Sequence, residues 1–100
     1  MTAAEVALTV VVEAVAGPGQ ADRLRTALEA LVEPSLEEAG CLAFRPYLDP
    51  NDASHMVVVE QWADQAALDA HFDSPHVAHA ARVFELVLAE PLTVRLYTDS

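Results

Sequence analysis

The stretch from Val6 to Val15 is rich in β-branched residues and apolar on both of the faces that a strand would present. Successive side chains of a strand point to opposite sides. Val6, Leu8, Val10 and Val12 therefore line one face, and Ala7, Thr9, Val11 and Val15 line the other. Helices can cover one side of an antiparallel sheet, but a second apolar side would leave a large hydrophobic patch on a monomer. A domain of this length buries only about two-thirds of the surface its unfolded chain exposes, so association is a natural source of extra stability. The expected outcome is one domain over residues 1–100, paired with a second copy through the open face of its sheet.

The rest of the chain supplies the elements for such a sheet. Gly17-Pro18-Gly19 ends the first strand. From Ala21 onward, Leu24, Leu28, Leu31 and Val32 recur at helical spacing. Pro34 is expected to break or kink that helix, with a further turn from Ser35 to Ala39 before Gly40 stops it. Cys41 to Leu48 alternates weakly and reads as a second strand. The turn residues Asp49-Pro50-Asn51-Asp52 join it to a third, His55 to Trp62, as an antiparallel hairpin. Asp64 is placed to cap a helix over Gln65 to Phe72. Ser74, with Pro75 at the first helical position, caps another whose apolar stripe is Val77, Ala80, Phe84, Val87 and Leu88. Pro91 ends it, and Leu92 to Tyr97 reads as the last strand. This order predicts an α+β fold of the ferredoxin-like, split βαβ type, with an antiparallel sheet and helices on one face.

Charge and motif content narrow the function. Five basic residues stand against 16 acidic ones, a net charge of −11, so nucleic acid and anionic membranes are poor partners. The apolar run near the N-terminus is too short to span a bilayer and has no basic residue before it, so a cytoplasmic location is expected. Cys41 is the single cysteine, which precludes an intramolecular disulfide and reads as a small core hydrophobe. Phosphate-binding glycine loops, paired-cysteine metal spacing and a serine nucleophile elbow are all missing from the sequence. No cofactor and no metal are expected. His76 and His79 share a helix face, but zinc requires three or four ligands.

The candidate chemistry lies between Val57 and His76. Glu60 and Trp62 share one face of the third strand with Met56 and Val58. A carboxylate on an inward face needs a partner. It is either ion-paired with Arg45 or Arg95, or engaged in a capping contact, or it is a pocket base with a raised pKa. Trp62 offers a flat apolar wall and one N–H donor, or else simple core packing. His71, beside Phe72, either takes a proton from a phenolic substrate or ties the two helices together. His76 lies in the first turn of a helix, where the positive dipole end favours the neutral ring. Tyr47, Phe44, Phe84 and Tyr97 belong to core, interface or pocket lining.

The same segment resembles the signature of the antibiotic biosynthesis monooxygenase family. That pattern is a strand ending Glu-x-Trp, an acidic residue, Ala-Leu, His, and Ser-x-His. Here it reads Glu60, Trp62, Asp64, Ala67-Leu68, His71, Ser74 and His76. The resemblance implies a dimeric α+β barrel. It also implies oxygen insertion into a quinol, phenol or polycyclic aromatic without cofactor. At the matched positions Glu60, His71 and His76 would be catalytic and Trp62 would contact substrate. Phe72, Tyr47 and Phe84 are further substrate-contact candidates on their aromatic character and not on the resemblance. Relatives that degrade haem carry a first-strand asparagine that is missing here, and Ala81 stands at the position of their helix histidine, so haem is not the expected substrate. A reading of another class is a non-catalytic dimer that binds or senses a small aromatic metabolite.

Overall fold

The computed structural model describes residues 7–98, and Val6 of the expected first strand lies outside them. The first strand, β1, is Leu8–Val15, and it leads into helix α1, Ala21–Glu29, and the short helix α2, Val32–Leu36. Strands β2, Cys41–Asp49, and β3, Asp52–Trp62, form the expected hairpin. Helices α3, Gln65–Phe72, and α4, Pro75–Val87, follow before β4, Thr93–Thr98. The four strands make one antiparallel sheet in the order β2-β3-β1-β4. This is the ferredoxin-like arrangement, with β1 and β3 at its centre.

The helix break falls earlier than Pro34. α1 ends at Glu29, and Pro34 sits in the first turn of α2, whose N-cap is Leu31. A proline ring collides with the carbonyl four residues back, here that of Ala30, and a first-turn residue has no intrahelical use for its N–H. The chain therefore restarts its helix upstream of the proline.

Side chains from the sheet and helices meet on one face. Leu8, Val10, Ala14, Met56, Val58 and Trp62 from the sheet pack with Leu24, Leu28, Leu68, Ala80 and Val87 from the helices. The opposite face carries Thr9, Val11, Val57, Val59, Tyr47 and Tyr97, as the pairing of Thr9 with Tyr97 and of Tyr47 with Val57 requires. Tyr47 and Tyr97 are each 52% exposed. At the margin of this face, Arg95 approaches Glu13 at 3.5 Å and His55 lies between Glu13 and Asp49 at 3.8 Å from each. No helix among the described residues is long and apolar enough to cross a membrane.

Candidate active site

Three elements deliver acid–base groups to one point. β3 ends with Glu60 and Trp62 pointing to the helix side, because each lies an even number of residues from the buried Met56 and Val58. α3 begins at the Asp64 cap, whose Oδ1 accepts from the Ala67 amide at 2.9 Å, and this phasing turns His71 inward with Leu68. Ser74 joins α3 to α4. Its hydroxyl donates to the His71 carbonyl at 2.6 Å and accepts from the Val77 amide at 3.4 Å, which fixes His76 in the first turn of α4.

The fourth contributor is Glu38, in the turn between α2 and β2, where no sequence motif marks it. Its Oε2 is 2.7 Å from His71 Nδ1 and 2.9 Å from His76 Nε2. Gly40 brings this turn close to α3. It adopts φ +84, and a Cβ there would lie 2.6 Å from Ala67 Cβ. Its carbonyl accepts from the Ala63 amide at 2.7 Å. Only glycine satisfies both the backbone angle and the close approach.

Glu60 and His71 are both buried, at 4% and 3% exposure. Trp62 Nε1 donates to Glu60 Oε1 at 3.0 Å, and His71 Nε2 lies 3.7 Å from the same oxygen. The Trp62 ring packs against the His71 ring with centroids 4.5 Å apart, and Phe44 lies 5.8 Å away on another side. Arg45 and Arg95 are not partners of Glu60. Arg45 pairs with Val59 and Arg95 with Val11, which puts both on the opposite face of the sheet. Burial raises the Glu60 carboxyl above its ordinary range, against the lowering effects of the Trp62 hydrogen bond and the His71 ring. Burial, and then the Glu38 carboxylate, also raise the thiol of Cys41, which is only partly buried and packs against the core instead of lying within it.

A cleft of about 680 Å³ opens between α1 and α4, with Ala27, Ala30, Leu31, Ala80 and Val83 as its apolar wall and Asp22, Arg23 and Thr26 among its polar groups. His76 and His79 line it. His71, Glu60 and Trp62 are not on its wall but connect to it through Glu38 and His76. A carboxylate partner at Nε2 holds the proton of a neutral His76 ring on that nitrogen and leaves the lone pair on Nδ1. The arrangement can thus receive a proton at the cleft and hand charge to a buried carboxylate–imidazole network.

The remaining expected contacts are scattered. Phe72 is 5.8 Å from the His71 ring but 48% exposed. Tyr47 lies on the far face of the sheet, and Phe84 lines a separate cleft of about 420 Å³ with Leu88 and Leu92.

This fold and network define a small ferredoxin-like α+β protein with linked carboxylates and imidazoles beside one cleft. A model of the antibiotic biosynthesis monooxygenase family matches residues 7–83, and the chain belongs to that family. The structure of PA3566 from Pseudomonas aeruginosa is similar, with a TM-score of 0.89 at 34% identity over 95% of each chain. Rv0793 from Mycobacterium tuberculosis superposes with a TM-score of 0.86 at 25% identity, covering 91% of this chain and 92% of that one. Its sequence aligns at 35% identity over 77% of this chain and 75% of that protein, and its name gives monooxygenase as a provisional activity. An uncharacterised Synechocystis protein, sll1783, is 30% identical over 69 residues, 69% of this chain. The match spans only 47% of the length of that relative.

Proposed function

We infer that the protein is a cofactor-independent monooxygenase that oxidises a quinol, phenol or polycyclic aromatic hydroxyl compound with O2, acting as one domain in a homodimer. The observation that carries this reading is the position of His76. It stands on the wall of an apolar cleft large enough for an aromatic ring, and Glu38 orients it and links it to His71. A carboxylate that fixes the tautomer of a histidine is the arrangement general bases use. Ionising a phenol raises the electron density of its ring enough for direct reduction of O2. For a quinol the balance closes without a cofactor: the ring loses two hydrogens and gains one oxygen atom, and the second oxygen leaves as water.

His76 is the group that meets substrate in this scheme. His71 and Glu60 are positioning residues that hold charge behind it, and Trp62 orients Glu60. Phe72, Tyr47 and Phe84 do not line the His76 cleft and take no part in it. The test is oxygen uptake with a panel of hydroquinones and naphthols, in the presence of a chelator. Turnover that falls about 10²–10⁴-fold in His76→Ala supports the reading. If no member of the panel is oxidised above the uncatalysed rate, a binding or sensing protein is the better account.

A further inference from the structure

We propose that Glu38, His71 and His76 form a binding site for a divalent first-row transition ion such as Zn2+, with an open coordination position toward the α1–α4 cleft. Glu38, His71 and His76 each offer one ligand atom, all within 4.8 Å of one another, and Glu38 Oε2 is in hydrogen-bond range of both His71 Nδ1 and His76 Nε2. Two imidazoles and one carboxylate suit zinc and its neighbours better than magnesium or calcium, which prefer oxygen ligands. Zinc–nitrogen and zinc–oxygen bonds run about 2.0–2.2 Å, so two donors at a tetrahedral angle on one ion stand roughly 3.4 Å apart. The observed 2.7 and 2.9 Å separations from Glu38 to the two rings would each open by roughly half an ångström to hold an ion.

The surroundings supply what a metal-bound histidine requires. Once Nδ1 of His71 holds an ion, its ring proton must sit on Nε2. That nitrogen faces Glu60 Oε1 at 3.7 Å, and Trp62 Nε1 fixes the same oxygen. A carboxylate behind the second ring nitrogen is the usual partner of a metal-ligating histidine. The His76 proton likewise moves to Nδ1. Access is through His76 and Glu38, whose side chains keep 21% and 16% of their exposure while His71 keeps 4%. An ion here would take the position of the hydrogen-bonded protons that orient the base in the proposed reaction, so occupancy and base catalysis exclude one another. Binding is therefore measured without turnover.

The experiment is titration of the metal-free protein with Co2+, read by its visible absorption, and with Zn2+, read by calorimetry. One equivalent per chain is expected, with the spectrum of a low-coordinate Co2+ centre. His76→Ala and Glu38→Gln should each weaken binding at least ~10-fold, and Glu60→Gln should weaken it about 10-fold through the loss of charge behind His71. Neither His76→Ala nor Glu38→Gln alters the packed core, so the result does not depend on a His71 variant that could misfold. His55→Ala is the control, because His55 is the other ring that lies between carboxylates. Absence of stoichiometric binding, binding that survives both His76→Ala and Glu38→Gln, or binding lost in His55→Ala would each overturn the site.

Discussion

At the scale of the residue, Glu60 is the group most constrained by its surroundings. It is ionisable, almost fully buried, and held by one indole N–H and a neighbouring imidazole. Its carboxyl is raised from an ordinary value of 4.5, first by burial. Between that value and the raised one, the folded chain keeps a proton that the unfolded chain has released. The unfolded state then binds fewer protons, so this contribution to stability is complete below the window and is lost as pH rises through it. Glu60→Gln still offers Trp62 an oxygen but cannot ionise. Its stability, measured by denaturant midpoints from about pH 4 to 8, should decline less with rising pH than that of the native chain. Parallel curves would mean that Glu60 titrates normally. Trp62→Phe removes the donor and leaves a buried oxygen unsatisfied, which should cost about 1–3 kcal/mol of stability in the same assay. Glu60, Trp62, His71 and His76 were legible in the sequence because they fall on one signature segment. Glu38 was not, since an acidic residue in a turn, next to Glu37 and following the helix that carries Glu33, looks like any solvated charge until tertiary contacts select it.

At the scale of the element, the site depends on how a turn and a hairpin are shaped. The register of β2 shifts between Cys41 and Ala43, so that Leu42 is the extra residue and is 58% exposed. Beyond it Phe44 pairs with Glu60 and reaches the His71 ring, a placement that strict alternation from Cys41 would reverse. This irregularity explains why the strand alternates only weakly in sequence, and a single extra residue carries no composition signal of its own. The helix starts at Asp64 and Ser74 were readable because their side chains make the caps themselves. The α1–α2 break was misplaced because the steric effect of Pro34 acts on the residue four positions earlier. The Gly40 turn is the element on which Glu38 depends. Gly40→Ala combines a positive φ with a collision against Ala67, and a destabilisation of about 1–3 kcal/mol is expected in thermal or denaturant unfolding. A variant as stable as the native chain would show that the turn can move away from α3 without loss.

At the scale of the whole molecule, the uncovered face of the sheet is the dominant feature. Val11, Val57, Val59, Tyr47 and Tyr97 lie there together, and every residue of β4 is exposed. The alternation of β1 made this face legible from sequence, since both sets of its side chains are apolar. Face-to-face packing of two sheets would bury it, and sedimentation at micromolar concentration should give about twice the chain mass. A concentration-independent monomer would require another cover for these residues. The chain belongs to the antibiotic biosynthesis monooxygenase family, and in the proposed function its own residues, with no cofactor, drive O2 into an ionised aromatic ring. The most direct measurement is mass analysis of product formed under isotope-labelled O2, with chelator present and a quinol found to support oxygen uptake. The proposed reaction leaves one labelled oxygen atom in each product molecule, and His76→Ala should lose that product. Label recovered only in water or peroxide, or incorporation that requires an added metal, would contradict it.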